Sequence, residues 1–176
     1  LKNHENITEK ILMTEEIKSL IAHAKNNRDG LLIKLLANTG LRISEAINLK
    51  WSDIKLNKIC VFGKGGKTRY ISIKEELLTE LLTLKNKFCQ YVFYSNRLTP
   101  LKRENVHTML KDVAKKSNLT DKVSCHWLRH SVASHALNNG ASLHQVKELL
   151  GHDSINSPAS YLHTLNGTTA TDFIDF

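Results

Sequence analysis

The sequence predicts a mainly α-helical domain with one small antiparallel β-hairpin, which is an α+β fold class. Apolar residues recur at helical spacing along most of the 176-residue chain. The exception is KICVFGKGGKTRYISI, where two β-rich runs flank a loop of glycine and lysine. A chain of this length suits one compact domain, so we expect residues 1–176 to form a single unit, with 165–176 as a C-terminal tail.

The N-terminal part of the chain is predicted to be helical. The segment MTEEIKSLIAHAKNN opens with Thr14 as a candidate N-cap, followed by two glutamates that suit the first turn of a helix. RDGLLIKLLANTG is apolar nearly all round over residues 31–37, which is typical of a buried helix, and Gly40 ends it. A short helix, SEAINL, follows with Ser44 as its candidate cap.

The middle of the chain predicts a β-hairpin with strands at 59–62 and 70–73. Its glycine-rich loop is not a nucleotide-binding P-loop, because GKGGK lacks the four-residue spacer and leads into a strand. Most of the remainder is predicted to be helical, with Gly140 and Gly151 as stops and YVF as a short strand. The predicted helices cover 75–87, 103–116, 126–138, 142–150 and 157–163.

Charge and composition narrow the class of partner. The formal net charge is +8 and the isoelectric point about 9.4, as expected of a protein that binds polyanions. No apolar run approaches the ~18 to 20 residues needed to span a bilayer, so we expect no membrane partner and a cytoplasmic protein. The three cysteines are widely spaced and predict neither a disulfide framework nor a zinc site.

The segment HWLRH places His126, Arg129 and His130 on one helical face. Two histidines at this spacing also occur in zinc helices, but such a motif needs a glutamate where this chain has Trp127. Arg129 would add a positive charge beside the cation, and no paired carboxylates suit magnesium. We therefore expect no metal and no cofactor.

Phosphodiester transfer without a metal would need positive charge at the phosphate and a nucleophile from the protein. Guanidinium groups match two phosphate oxygens better than lysine does, and Arg42 and Arg129 are the candidates. Tyr161, nine residues after His152, is the candidate nucleophile. Each residue also has an ordinary structural interpretation: Arg42 pairing with Glu45, His152 capping a helix, Tyr161 as a core phenol.

Taken in order, these segments resemble the catalytic domain of the tyrosine recombinase, or phage integrase, family. The segments are NTGLRISEAINLKWSDI, GKGGKTRYISI, HWLRHSVASHALNNGASLHQVKELLGH and the tyrosine that follows. The resemblance runs from about residue 13 to residue 164. It implies the fold of that catalytic domain and a site-specific recombinase that cuts and rejoins DNA through a 3′-phosphotyrosyl intermediate.

The resemblance also implies roles for individual residues. Arg42 and Arg129 would hold the scissile phosphate, and Tyr161 would attack it. Lys64 rather than Lys67 would protonate the leaving 5′-oxygen. The remaining roles are proton acceptor or phosphate ligand for His126, phosphate hydrogen bond for His152, and orientation of Arg42 for Glu45. One departure from the family is Pro158, three residues before the tyrosine in NSPASY, which would stiffen that segment.

The family further implies double-stranded DNA as partner, a tetramer on DNA and a monomer in free solution. Candidate DNA contacts are Lys67, Arg69, Lys102 and Arg103. The resemblance also implies a separate N-terminal DNA-clasping domain outside this chain, docking of the tail on a neighbouring subunit, and a prokaryotic or phage protein associated with the nucleoid. A non-catalytic DNA-binding module of the same fold and a type IB topoisomerase-like relaxing enzyme remain as alternatives.

Overall fold

The computed structural model describes residues 11–63 and 68–151 of the chain. Over these residues the structure contains seven α-helices and one three-stranded antiparallel sheet. The helices are α1 (Thr14–Ala22), α2 (Asn27–Thr39), α3 (Ile43–Ile47), α4 (Glu75–Leu82), α5 (Arg103–Lys116), α6 (Cys125–Asn138) and α7 (Leu143–Leu150). The strands are β1 (Ile54–Lys55), β2 (Lys58–Phe62) and β3 (Thr68–Ser72). The predicted α+β class is confirmed.

The helix starts follow local capping, and two of the predicted caps were wrong. Thr14 is already the first residue of α1, because the Met13 amide donates to Glu16 Oε2 at 2.7 Å. Ser44 likewise lies inside α3, where the Arg42 amide donates to Glu45 Oε2 at 2.8 Å. In both helices a glutamate three positions on binds the amide of the N-cap residue, so helix start shifts toward the N-terminus.

The sheet has the order β1-β2-β3, and β2 pairs with β3 through Ile59 opposite Ile71 and Val61 opposite Arg69. The predicted hairpin is therefore present, with β3 beginning at residue 68. The two-residue strand β1 was not predicted. The YVF strand was wrong, since Tyr91 forms only an isolated bridge with Lys50.

The later helices match their predicted positions except at one end. Helix α4 stops at Leu82 rather than at residue 87, because the amides of Thr83 and Leu84 bond three residues back, to Glu80 and Leu81. That tighter turn ends the α-helical hydrogen-bond series. The segment predicted as a helix over 157–163 lies outside the described residues.

The core is built around α2 and α6, which pack against each other. Helix α2 is buried on nearly all sides, as its apolar sequence predicts, and α1 covers part of it. Helix α6 buries Leu128, Val132 and Ala136. Because α7 contacts both α6 and β3, its C-terminal end lies where the helical core meets the sheet.

Two glycines with left-handed backbone end the helices at this junction. Gly40 (φ 61°) ends α2 and Gly151 (φ 64°) ends α7. A Cβ on Gly40 would lie 2.6 Å from Leu150 Cδ2, so the ends of α2 and α7 approach more closely than any other residue type allows. The backbone carbonyls of both ends are therefore brought together beside α6.

Candidate functional site

Arg129 is the buried arginine of the candidate site, with 8% of its surface exposed. It lies in the second turn of α6, and its guanidinium donates to two main-chain oxygens. Nη1 bonds the carbonyl of Gly40, and Nη2 bonds that of Leu150 at 2.6 Å. Both oxygens belong to helix C-terminal ends, where the helix dipole favours a cation. Arg129 therefore joins α2 and α7 through charge-assisted hydrogen bonds.

Arg42 lies at the start of α3, and 44% of its side chain is exposed. Nη1 donates to Glu45 Oε1 at 3.1 Å, and Nη2 makes a longer contact of 3.4 Å with the Gly151 carbonyl. Glu45 thus contacts Arg42 as the sequence predicted, through both the side chain and the backbone amide. This arginine remains open to solvent and to a ligand.

Arg69 is a third arginine in the same place. It contacts Glu45 in a bidentate pair, with Nη1 to Oε1 at 3.0 Å and Nη2 to Oε2 at 2.8 Å. Its Nε donates to the Leu149 carbonyl at 3.1 Å. Only 13% of the Arg69 side chain and 12% of the Glu45 side chain are exposed. The Arg69–Glu45 pair therefore lies beneath the surface of the site, behind Arg42.

The three arginines converge on the C-terminal end of α7. Arg69 binds the carbonyl of Leu149, Arg129 that of Leu150 and Arg42 that of Gly151. These are carbonyls that a helix end leaves without helical partners. Two of these guanidinium groups, those of Arg42 and Arg69, also contact the carboxylate of Glu45, so the described part of the site brings three cationic side chains together around one carboxylate. In the sequence, His152 directly follows Gly151.

Glu45 is ionised in this setting. Its burial opposes ionisation, but hydrogen bonds from Arg69 and Arg42 and the charge of Arg69 outweigh that effect, so the pKa of Glu45 lies below its ordinary value. The carboxylate can therefore hold both arginines over the whole neutral range.

His126 and His130 lie at the N-terminal half of α6 and form a pair. Their Nε2 atoms are 2.7 Å apart, and the rings meet edge to face at 89°. One ring must donate and the other accept, so the tautomers of the two histidines are linked. His126 is exposed, whereas Arg129 on the same helix is buried. The helix face predicted to carry His126, Arg129 and His130 therefore has its histidine pair toward solvent and its arginine toward the core.

Cys125 precedes His126, and its thiol is buried. Burial raises the pKa of its thiol to about 11, although the nearby charge of Arg103 acts in the opposite direction. Arg103 is the first residue of α5, and Lys102 is its N-cap residue. Lys102 and Arg103 are both exposed there.

The other predicted site residues lie outside the described residues: Lys64, Lys67, His152 and Tyr161. Within residues 11–63 and 68–151, no three histidine, cysteine or acidic side chains lie together as metal ligands would. No helix in that part of the chain is both long and apolar enough to cross a bilayer.

The role of Arg69 was not foreseen, because it was predicted as a DNA contact. Strand alternation could have indicated its position. In TRYISI, residues 69, 71 and 73 share one face, and Ile71 and Ile73 are plainly core residues. Arg69 therefore points inward with them, while Tyr70 points to solvent.

Comparison with known proteins gives the family. The model of the phage integrase family matches residues 10–167, most of the chain. The chain belongs to the phage integrase family. Among curated members, the tyrosine recombinase XerC of Oceanobacillus iheyensis is 37% identical over 149 residues, covering 77% of this chain and 49% of the relative. The chain thus spans about half the length of this relative.

Solved structures of family members have the same fold. The crystal structure of XerA recombinase matches with a TM-score of 0.77 and 32% identity, covering 87% of this chain and 60% of the other. XerH recombinase in a pre-cleavage complex with difH substrate matches with a TM-score of 0.72 and 28% identity, over 88% and 50%.

A lambda integrase tetramer on a Holliday junction shares the fold alone. Its TM-score is 0.71 at 22% identity, with 86% of this integrase-family chain and 47% of that chain covered. The predicted catalytic-domain fold is confirmed by these structures.

Proposed function

We propose that this integrase-family chain is the catalytic domain of a site-specific recombinase that cleaves and rejoins double-stranded DNA without a metal. The observation that carries the proposal is the convergence of Arg42 and Arg129 at the end of α7, directly before His152. A clustered pair of guanidinium groups on a rigid support suits a phosphodiester, because charge on its two non-bridging oxygens increases in the transition state.

In the proposed reaction, Tyr161 Oη attacks the scissile phosphorus. A bond forms between that oxygen and phosphorus, and the bond to the 5′-oxygen breaks. Lys64 donates a proton to the leaving 5′-oxygen. His126 accepts the phenol proton, or it binds the phosphate and the phenol proton passes to water. His152 donates a hydrogen bond to a phosphate oxygen. The 3′-phosphotyrosyl ester keeps the energy of the broken bond, so a 5′-hydroxyl can reverse the step and rejoin DNA.

The two arginines divide the work of binding the phosphate. Arg129 is buried and held by two carbonyls, so its charge is fixed in place before DNA arrives. Arg42 is far more exposed and meets the ligand from the solvent side, with Glu45 fixing its direction. Preorganised charge of this kind needs little rearrangement during the reaction.

Covalent capture tests this proposal. The wild-type chain and Tyr161→Phe are incubated without metal with a pool of nicked, randomised duplexes and then denatured. We expect DNA to remain on the wild type and not on the variant. Tyr70→Phe, which changes an exposed tyrosine on the outer face of β3, is the matched control and should still give the adduct.

Two other outcomes would overturn the proposal. Reversible DNA binding without an adduct, in the chain and in the longer protein that contains it, would favour a non-catalytic DNA-binding module. An adduct together with relaxation of supercoiled plasmid lacking any captured site would favour a relaxing enzyme of the type IB topoisomerase kind.

The proposal also covers the oligomeric state of the protein and the DNA on which it acts. We infer that the chain is one domain of a longer recombinase, a monomer in solution and a tetramer on DNA, acting on the nucleoid of a prokaryote or on phage DNA. The curated relative is about twice as long as the matched part, and a family fold occurs in a tetramer on a Holliday junction. Light scattering with and without captured duplex should give the mass of one copy and of four.

A further inference from the structure

We propose that Arg69 is a positioning residue, which fastens the carboxylate partner of Arg42 to the end of α7. The inference rests on the proposed function, since the groups it positions are those of the proposed reaction. Through Glu45 it acts on Arg42, and through the Leu149 carbonyl it acts on the backbone that continues into His152.

The hydrogen bonds of Arg69 support a positioning role. All three guanidinium nitrogens donate within the protein: two to the Glu45 carboxylate, at 3.0 and 2.8 Å, and one to the Leu149 carbonyl, at 3.1 Å. The bidentate pair fixes the plane of the carboxylate as well as its distance. The same carboxylate then accepts from Arg42, so its orientation determines where that guanidinium lies.

The sheet explains why an arginine can occupy this inner position. Arg69 lies opposite Val61 in β2 and shares its face of β3 with the buried Ile71. The strand directs the side chain under α7, which contacts β3. The C-terminal end of α7 therefore shields Arg69 from a phosphate in solvent, and only 13% of the Arg69 side chain is exposed.

Close packing at Gly151 supports the same conclusion. A Cβ built on Gly151 would lie 3.0 to 3.2 Å from atoms of the Arg69 side chain. The backbone at Gly151 is left-handed, with φ 64°, so a side chain at this position would be strained as well as crowded. Arg69 therefore packs against the residue that ends α7, in addition to binding the carbonyl of Leu149.

Removing Arg69 should misplace Arg42 without removing any contact to DNA. The Glu45 carboxylate would keep Arg42 as its remaining guanidinium partner, and the Leu149 carbonyl would lose its side-chain donor. A guanidinium drawn toward the carboxylate would fit the transition state less well. Hydrogen-bond partners that orient metal-ligating side chains typically contribute about 10- to 100-fold, and we expect an effect of the same order for the partner of a phosphate-binding arginine.

The test compares adduct formation with DNA binding. The single-turnover rate is measured at saturating concentration of the nicked duplex enriched by wild-type capture, and the dissociation constant is measured by fluorescence anisotropy. We expect Arg69→Met to lower the rate by about 10- to 100-fold and to leave the dissociation constant within about 2-fold. Arg69→Lys, which keeps the charge but loses the planar fork of donors, should recover part of the rate.

A matched control removes a different cation from the same sheet. Lys58→Met changes an exposed residue of β2 and should react at the wild-type rate. The double variant Arg69→Met with Glu45→Gln should form the adduct only slightly more slowly than either single variant, because the two residues act as one unit. Circular dichroism at the assay temperature verifies folding, and Arg69→Lys carries the comparison if the methionine variant is unfolded.

The outcomes separate the two proposals. If wild type forms the adduct and Arg69→Met reacts at the same rate, the positioning role is wrong and the proposed function stands. A fall in DNA affinity with an unchanged saturating rate would also overturn it, because that pattern belongs to a phosphate contact. If neither the wild-type chain nor the longer protein that contains it forms an adduct, the proposed function fails and the inference fails with it.

Discussion

At the residue scale, the two candidate phosphate-binding arginines differ in what holds them. Arg129 is buried, and its guanidinium donates to two main-chain carbonyls, whereas Arg42 is exposed and donates to a neighbouring glutamate. Arg129 therefore serves both the fold and the proposed site, whereas Arg42 serves chiefly the site.

This difference predicts contrasting effects of substitution. Arg129→Met should lower the free energy of unfolding by about 2 to 4 kcal/mol, because buried carbonyls of Gly40 and Leu150 lose a charged donor. Arg42→Met should cost less than about 1 kcal/mol, since that side chain is much more exposed. Both should lower the rate of adduct formation at least about 100-fold. Urea denaturation and covalent capture measure the two effects, and equal losses of stability would contradict the assignment.

Glu45 gives the stability a dependence on pH. Its pKa in the folded protein lies below the ordinary value of 4.5, so the stabilisation is present above that value and is lost as the pH falls through the folded pKa. The difference in unfolding free energy between wild type and Glu45→Gln should therefore be largest near neutrality and shrink below about pH 4.5.

Urea titrations between pH 7 and pH 3 measure this difference. Glu15→Gln is the control, because that side chain is 83% exposed and its loss should change the free energy of unfolding by less than about 0.5 kcal/mol. A difference for Glu45→Gln that stays constant down to pH 3 would show that its charge does not stabilise the fold.

At the element scale, sequence patterns predicted the helices and helix ends that depend on residues close by in the chain. Helix α5 and the C-terminal ends of α6 and α7 follow from apolar spacing and from the stops at Gly140 and Gly151, and all three are found where expected. Strand β1 could not be predicted in this way, because two residues carry no periodicity and pair only through the rest of the sheet. Likewise the meeting of Arg42, Arg69 and Arg129 depends on packing between distant elements.

The junction between α2 and α7 predicts different effects for two glycines. Gly40→Ala should lower the free energy of unfolding by at least about 1 to 3 kcal/mol, because φ is 61° and the new Cβ would lie 2.6 Å from Leu150. Gly30→Ala, inside α2, should be neutral or stabilise by about 0.5 to 1 kcal/mol, since its Cβ would meet neighbours at ordinary distances of 3.4 Å and more. Urea denaturation of both variants is the measurement. A neutral Gly40→Ala would mean that the two helix ends are not closely packed.

At the scale of the whole molecule, a formal net charge of +8 raises the question of which surface meets DNA. General attraction would use all exposed cations alike, whereas a docked complex would use those near the site. Lys102 and Arg103 are exposed at the start of α5, and the charge of Arg103 acts on Cys125, the first residue of α6. Lys18, on α1, pairs with Glu15 at 3.1 Å and serves as a cation of a different element.

Salt dependence distinguishes these cases. If α5 faces the backbone of the duplex, Lys102→Ala and Arg103→Ala should each reduce the slope of log affinity against log salt concentration by about 1, because each phosphate contact releases about one counterion. Lys18→Ala should leave the slope unchanged. Anisotropy titrations between roughly 50 and 200 mM salt cover the range in which several such contacts change affinity strongly. Equal reductions for all three variants would indicate attraction by net charge alone, and α5 would then have no special place in the complex.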